Sequence, residues 1–196
     1  MKSKQDPLDY PDKVERLAEL QVLEKQKHID IFYGDESGFS LNSCIPYGWQ
    51  YPGEPVCVCP IRSKRINVLG LMSSDNRLAV FQKEGSIKTD FVVESIDKWA
   101  QTLTKPTVMV LDNGPVHVSK HFLAQLQRWQ QQDLFIFFLP KYSPHLNKIE
   151  TLWRKIKYEW LKDKDYACLK TLQNALDTIF CQFGLCYTIN FKELSI

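Results

Sequence analysis

Two short, wholly apolar segments in the second half of the chain constrain its fold more than any other feature. Residues 107–111 read Thr-Val-Met-Val-Leu, and residues 134–139 read Leu-Phe-Ile-Phe-Phe-Leu. Apolar runs of this length without polar alternation are typical of parallel strands that are covered on both faces. We therefore expect both segments to be buried strands of one sheet.

Amphipathic helices and a hairpin surround these strands. The periodicity of apolar residues predicts helices over residues 12–27, 89–103, 118–132, 147–161 and 169–180. Strands are predicted at residues 29–35, 66–72 and 78–82, and the Gly- and Pro-rich residues 46–55 are typical of turns. Antiparallel strands followed by βαβ units predict an α/β fold, a mixed sheet with helices on both faces. We divide the chain into an N-terminal helical linker, 1–28, and one domain, 29–196.

Composition excludes several classes of protein. A chain of 196 residues with 44% hydrophobic content can bury a core without disulfides or metal. No apolar run reaches the roughly 18 residues of a membrane span, and the N-terminus has no apolar stretch typical of a secretory signal. The net charge of +2 does not by itself indicate a nucleic-acid partner.

Six cysteines occur in the chain, and their spacings do not match a zinc site. Without a secretory signal, a disulfide framework is not expected either. We therefore predict reduced thiols buried in the core. The six are Cys44, Cys57, Cys59, Cys168, Cys181 and Cys186.

Three acids occupy positions where catalytic groups gather. Asp35 and Asp112 each follow a predicted strand, and Glu150 lies on the first turn of the predicted helix 147–161. Functional groups of open α/β sheets collect at strand ends, and close carboxylates require a cation or a shared proton. Oxygen ligands of this kind suit Mg²⁺ or Mn²⁺. The three acids together therefore indicate a metal site.

Each acid also has a structural interpretation when it is taken alone. Asp35 could cap a turn, and Asp112 begins an Asp-Asn-Gly-Pro turn sequence. Asn147 and Glu150 fit a capping box, in which Asn147 is the N-cap residue. Only the occurrence of all three acids together, two after strands and one on a helix, favours a catalytic role over these structural alternatives.

A local excess of positive charge lies around Glu150. Residues 141–164 contain seven Lys or Arg against three Asp or Glu, and Glu150, Arg154 and Lys157 share one helix face. This pattern indicates a metal site that faces a polyphosphate such as DNA. Solvated helix or strand surface is the alternative for the cations, and core packing is the alternative for the tryptophan. The candidate DNA contacts are Lys141, Lys148, Arg154, Lys157, Arg62, Lys64, Arg65 and, by base stacking, Trp49.

Three sequence blocks resemble a known family. They are Gly-Asp-Glu-Ser-Gly-Phe at 34–39, Leu-Asp-Asn-Gly-Pro-Val-His at 111–117, and Leu-Pro-Lys-Tyr-Ser-Pro-His-Leu-Asn-Lys-Ile-Glu-Thr-Leu-Trp at 139–153. The blocks resemble the catalytic domain of bacterial insertion-sequence transposases of the mariner-type superfamily. The resemblance implies an RNase H-like fold and a catalytic, metal-binding Asp-Asp-Glu triad. Matched position by position, the triad is Asp35, Asp112 and Glu150, holding two Mg²⁺ or Mn²⁺ ions, with Asp35 bridging them.

The resemblance also implies an activity and partners. The domain would cleave DNA at transposon ends and transfer the strands to a target, with double-stranded DNA as partner and no membrane. Asn113, His117 and Asn147 would support the site, with helix capping or packing as the alternative. A homodimer and a separate helix-turn-helix DNA-binding segment are expected, and the location is the bacterial cytoplasm at the nucleoid.

Two departures from the family pattern are visible. Lys148 stands where the family usually has proline, and the chain has no room for N-terminal helix-turn-helix segments. A catalytic fragment, a second reading frame of a split element and a decayed copy are all compatible with the second departure. Two other functions stay open: an RNase H-type or structure-specific nuclease, and a non-catalytic remnant that serves as a binding or assembly module.

Overall fold

The computed structural model describes residues 9–41 and 65–191. Its five strands are β1 (Asp30–Phe39), β2 (Ile66–Ser73), β3 (Leu78–Glu84), β4 (Thr107–Leu111) and β5 (Leu134–Phe138). Its helices are α1 (Asp9–Lys25), α2 (Thr89–Ala100), α3 (Lys120–Leu123), α4 (Leu126–Gln130), α5 (Ile149–Lys155) and α6 (Leu169–Cys181). A π-helical turn, Ile156–Trp160, continues α5, and 3₁₀ turns occupy Pro144–Leu146 and Asp163–Tyr166.

The strands form one mixed sheet in the order β3-β2-β1-β4-β5. β1, β2 and β3 pair antiparallel, whereas β1, β4 and β5 pair parallel. The predicted hairpin and the predicted βαβ units therefore meet at β1, which has one antiparallel and one parallel neighbour. The prediction of a mixed sheet is confirmed.

Helices cover both faces of the sheet, as expected. Ile31 and Tyr33 of β1 point into a core that they share with α1, α5 and α6, whereas Phe32 points into a second core with α2, α3 and α4. This alternation follows from the two-residue period of a strand. It places Asp35, an odd-numbered residue of β1, on the same face as α5.

Helix α1 packs against this first core. Its Leu17 is buried, and the Gln21 side chain donates a hydrogen bond to the Tyr33 hydroxyl at 3.0 Å. The helix is therefore attached to the sheet through these two residues, which lie one turn apart. The division of the chain at residue 28 stays a prediction.

Strand boundaries and positions differ from expectation at two elements. β1 was expected to end at Asp35 but runs to Phe39, because residues 32–39 all pair with β2. β5 was expected to be buried but is an edge strand, and only its Leu134 is fully buried while Phe135 is exposed. Both properties depend on which strand lies alongside, which a local apolar pattern does not contain.

Two predicted helices are interrupted. The helix predicted over 118–132 is divided into α3 and α4 by a turn at Ala124 and Gln125. The helix predicted over 147–161 begins at Ile149 and changes to π geometry after Lys155, where the Leu161 amide donates to the Ile156 carbonyl at 3.0 Å. A π turn inserts one residue and reorients the side chains that follow it.

The prediction that the cysteines are buried is wrong for the three that can be placed. Cys168, Cys181 and Cys186 are free thiols, but all three are exposed, on and beside α6. The remaining cysteines lie outside the described residues, as do the predicted turns at 46–55 and the candidate DNA contacts Trp49, Arg62 and Lys64. Across residues 9–41 and 65–191, no helix combines the length and apolar character that spanning a membrane requires.

Candidate active site

The register between β1 and β4 brings Asp35 and Asp112 to the same edge of the sheet. The last parallel pair joins Tyr33 to Val110, and each aspartate follows that pair by two residues. Side chains two residues apart on a strand share a face of the sheet. Tyr33 and Val110 face the core that contains α5, so the two aspartates that follow them are directed to the same side. Asp112 leaves the sheet there, whereas Asp35 stays within β1.

Glu150 reaches this edge from the first turn of α5. The helix is tied to β1 just before it begins, since the Asn147 side-chain amide donates to the Gly34 carbonyl at 3.0 Å. The capping box proposed for Asn147 and Glu150 is therefore wrong, because the Asn147 amide bonds to β1 and the N-cap position belongs to Lys148.

The three acids line one open cavity of about 430 Å³. The loop after β5 and the turn after β4 form the rest of its wall. Side chains on that wall include Asn113, Lys141, Tyr142, Ser143 and Asn147. The structure thus brings together the predicted triad and three other predicted site residues.

Burial and mutual repulsion make two of the carboxyl groups hard to ionise. The pKa of Asp35 is raised to about 7, first by burial and then by the negative charges of Glu150, Glu36 and Asp112. The pKa of Glu150 is also raised by its burial, although Lys157 partly offsets the effect. Without a cation, this cavity therefore retains protons near neutral pH.

Asp112 has the opposite electrostatic environment. Its Oδ1 atom lies 2.8 Å from His117 Nδ1 and accepts a hydrogen bond from the Gly114 amide at 2.8 Å, and these contacts lower its pKa. His117 itself is buried, which would lower its pKa, but Asp112 and Glu36 outweigh the burial and raise it to about 10. The Nε2 atom of His117 lies 3.4 Å from Glu36 Oε1. His117 is therefore buried between two carboxylates, and its raised pKa favours the protonated imidazole.

The chemistry of the donor set fits a divalent cation. Carboxylate oxygens are the ligands that Mg²⁺ and Mn²⁺ prefer. Asn147 Oδ1 is buried at the cavity wall and has no hydrogen-bond partner among the residues described. In the described ranges, however, no group of three or more His, Cys, Asp or Glu side chains is already arranged to hold a metal ion.

The other predicted site residues fall into three groups. The Asn113 amide donates to the Leu139 carbonyl and so links the turn after β4 to the loop after β5. Lys141 is exposed on the cavity wall, and Lys157 lies close enough to Glu150 to affect its pKa. Arg154 and Arg65 are exposed, but no described contact links either one to the acids.

The side chain of Lys148, one of the predicted DNA contacts, makes its contacts within the protein. Its ammonium donates to Ser74 Oγ at 2.8 Å and lies over the rings of Tyr33 and Phe191, each 5.3 Å away. Glu24 of α1 is the acid that acts most strongly on it. Lys148 is the N-cap residue of α5, and its side chain is directed toward the α1 side of the domain.

Sequence reasoning missed Glu36, Tyr142 and Ser143, and also the contact that Trp153 makes with Asp35. Trp153 lies within the predicted helix 147–161, and its ring is buried in the core as a packing residue would be. Its indole Nε1–H, however, donates to Asp35 Oδ2 at 3.0 Å. No sequence pattern distinguishes this tryptophan from a packing residue, because the bond depends on how α5 crosses β1.

Comparisons with known proteins agree with this geometry. A family model described as DDE superfamily endonuclease matches residues 30–173. The "Insertion element IS630 uncharacterized 39 kDa protein" of Shigella sonnei is 24% identical over 153 residues, which cover 74% of this chain and 43% of that protein. The chain thus spans less than half the length of this curated relative.

Solved structures share the fold. The Mos1 strand transfer complex matches with a TM-score of 0.63 and 16% identity, covering 88% of this chain and 54% of that one. The catalytic domain of Mos1 mariner transposase matches with a TM-score of 0.55 and 12% identity, covering 91% and 83% of the two chains. The HTLV-2 integrase catalytic core domain in complex with magnesium matches with a TM-score of 0.52 and 14% identity, covering 83% and 91%. The expected RNase H-like fold is confirmed.

Proposed function

The chain belongs to the DDE superfamily of endonucleases, and we propose from this premise that it is the catalytic domain of an insertion-sequence transposase. It would cleave DNA at transposon ends and transfer the cut strands to target DNA. The observation that carries the proposal is that Asp35, Asp112 and Glu150 line a single cavity. The shared fold with the Mos1 structures supports the same reaction class.

We propose that the three carboxylates hold two Mg²⁺ or Mn²⁺ ions. Cations bound there would activate water or a 3′-hydroxyl as the nucleophile and stabilise the leaving oxygen. The orphaned Asn147 Oδ1 and the raised pKa of Asp35 support a site whose charge is completed by a cation.

The chain's own residues prepare this site in different ways. His117 donates its Nδ1 proton toward Asp112 and holds that carboxylate ionised. Burial raises the pKa of Asp35 and of Glu150, so a cation bound beside them would favour their ionised forms. Lys141 and Lys157, beside the acids, would contact the DNA phosphates.

We also propose that the protein acts as an assembly with other chains or segments. A homodimer and a separate helix-turn-helix segment would account for pairing and recognition of transposon ends. The bacterial source of the IS630 relative supports a location in the cytoplasm, at the nucleoid.

Cleavage of supercoiled plasmid with Mg²⁺ or Mn²⁺ tests the proposal. We expect wild type to nick the plasmid and Asp112→Asn to lose nicking, because the substitution removes a charged oxygen ligand. Asp90→Asn is the matched control, since Asp90 is exposed and pairs with His121 on the surface. Nicking that persists in Asp112→Asn would contradict the assigned site.

Two further substrates separate the proposal from its rivals. Joining of a pre-cut transposon-end duplex to plasmid is expected of a transposase, whereas an RNase H-type nuclease would instead cut an RNA–DNA hybrid. A non-catalytic remnant would cut neither. If wild type also showed no Mn²⁺-dependent rise in melting temperature, the metal site itself would be excluded.

A further inference from the structure

Trp153 links the last acid of the site to the first. It lies one helical turn after Glu150, and its indole Nε1–H donates to Asp35 Oδ2 at 3.0 Å. We propose that Trp153 is a positioning residue that fixes the orientation of the Asp35 carboxylate and thereby sets the affinity of the acidic cavity for divalent cations. This inference rests on the proposed function, because it takes Asp35 to be a metal ligand.

The indole reaches Asp35 because of a glycine on the neighbouring strand. Gly70 of β2 is the cross-strand partner of Asp35, and side chains at such positions share one face of the sheet. A Cβ atom on Gly70 would lie 2.6 Å from Trp153 Cη2 and 2.9 Å from Cζ2. The indole thus occupies the space that any other residue at position 70 would fill.

The ring is held firmly on its other side too. Trp153 is 3% exposed, and its ring meets that of Phe39 edge to face, with centroids 6.1 Å apart. A donor with so little freedom can restrain a carboxylate, whose terminal torsion is otherwise broad. An indole offers only a proton and accepts none, so the bond favours an Asp35 oxygen that is free to accept.

The alternative is that Trp153 only packs, and a matched tryptophan separates the two roles. Trp129 is fully buried, and its Nε1–H donates to Asp97 Oδ1 at 2.7 Å, in the other core of the domain. Trp153→Phe and Trp129→Phe therefore delete the same kind of buried indole–aspartate bond. Only the first of these bonds ends on a residue of the acidic cavity.

The experiment titrates Mn²⁺ into the full chain and follows melting temperature and calorimetric heat, with plasmid nicking as the second readout. We expect both Phe variants to melt earlier without metal. Only Trp153→Phe should bind Mn²⁺ more weakly, by about 10- to 100-fold, the range found when a partner of a metal ligand is removed. Its nicking rate at saturating Mn²⁺ should return toward that of wild type.

Gly70→Ala provides a second route to the same effect. The added methyl group must displace the indole while leaving Trp153, Asp35 and every other polar group in the chain. We expect this variant to weaken Mn²⁺ binding in the same direction as Trp153→Phe. It also keeps the inference testable if Trp153→Phe does not fold.

The outcomes distinguish this inference from the proposed function. Equal Mn²⁺ midpoints for wild type, Trp153→Phe and Gly70→Ala would overturn the inference and leave the metal site standing. A Trp153→Phe rate that stays low at every Mn²⁺ concentration, with an unchanged midpoint, would overturn it as well, because that pattern is structural. Absence of any Mn²⁺ response in wild type would overturn both.

Discussion

Asp35 and Asp112 face the same cavity, yet their surroundings act on them in opposite directions. Burial and three neighbouring acids raise the pKa of Asp35 to about 7. The hydrogen bond with His117 leads the effects that lower the pKa of Asp112. In the protein without metal, Asp112 is therefore ionised at neutral pH while Asp35 is divided between its two protonation states.

These pKa shifts predict opposite effects of two similar substitutions on stability. A raised pKa means that the folded state binds the proton more tightly than the unfolded state, so ionised Asp35 destabilises the fold. Asp35→Asn should therefore raise the free energy of unfolding at pH 8 without metal, by about 1–3 kcal/mol after allowance for partial exposure. This gain in the free energy of unfolding should increase between pH 4 and pH 7 and stay constant above pH 7.

Asp112→Asn is the matched comparison and should lower stability. Because folding lowers the pKa of Asp112, the ionised carboxylate stabilises the folded state. This stabilisation is present above the unfolded-state pKa of 3.8 and is lost as the pH falls through the lower pKa of the folded state. Urea unfolding of both variants and wild type from pH 4 to 8, with a chelator present, measures the two effects. Destabilisation by Asp35→Asn at pH 8 would contradict the raised pKa of Asp35.

A site residue can be identified from the sequence when the pattern of the residues next to it indicates its place in a strand or helix. Asp112 follows β4 and Glu150 lies in the first turn of α5, so both could be selected as acids at element ends. Asp35 was selected because the predicted strand 29–35 ends there, although β1 continues to Phe39. Trp153 and Lys148 could not be assigned, because their roles depend on side-chain direction. Trp153 is apolar by pattern but bonds Asp35, and Lys148 is basic by pattern but bonds Ser74.

Among the strands, β4 was the most accurately predicted and β1 the least. β4 matches residues 107–111 because Pro106 and Asp112 bound a continuous apolar run. β1 continues past Asp35 because β2 pairs with it as far as Phe39. The partners of Gly38 and Phe39, Asn67 and Ile66, are distant along the chain, so this pairing leaves no mark in the local pattern.

The break between α3 and α4 has a similar origin. Phe122 and Trp129 both lie within the single helix predicted over 118–132, and their rings meet with centroids 5.0 Å apart. A straight α-helix would separate residues seven apart by about 10.5 Å along its axis. The turn at Ala124 and Gln125 accompanies this closer approach, which tertiary packing rather than periodicity determines.

At the start of α5, a single hydrogen bond joins helix to sheet, and its removal should affect both stability and metal binding. Asn147→Ala leaves the Gly34 carbonyl without its side-chain donor and should lower the free energy of unfolding by about 1–3 kcal/mol. Because this bond sets where α5 begins, Glu150 should lose its position. We expect weaker Mn²⁺ binding in a thermal titration.

The control for this element is Asn67→Ala on β2. Asn67 also donates from its side chain to a backbone carbonyl, that of Gly85 at 2.6 Å, but it lies outside the cavity lining. We expect this variant to lose some stability while keeping the Mn²⁺ midpoint of wild type. If Asn147→Ala behaved in the same way, the bond to Gly34 would stabilise the fold without positioning Glu150.

The molecule as a whole is nearly neutral, with a formal net charge of +2, so DNA binding must depend on where its charges lie. Order and direction of the five strands bring the acids to one edge, and the same loops and helix carry Lys141 and Lys157 there. Sequence reasoning found the mixed sheet and the excess of cations in residues 141–164. It could not decide which of those cations face the acids, because that depends on the whole assembled fold.

Salt dependence of DNA binding can measure which lysines contact phosphates. Each phosphate contact on duplex DNA contributes about 0.9 to the slope of log affinity against log salt concentration. Lys141→Ala and Lys157→Ala should therefore each reduce the slope by about that amount. Lys148→Ala should leave the slope unchanged, because its ammonium is bound to Ser74 and faces the α1 side of the domain.

Fluorescence anisotropy of a labelled duplex, with a chelator to prevent cleavage, would provide the slopes, and melting curves would show that each variant is folded. The comparison is informative because all three lysines lie within seventeen residues and carry the same charge. If local charge alone determined DNA binding, the three substitutions would reduce the slope of log affinity against log salt concentration equally. Equal slopes for Lys148→Ala and Lys157→Ala would therefore show that net charge, and not the arrangement around the acidic cavity, determines DNA binding.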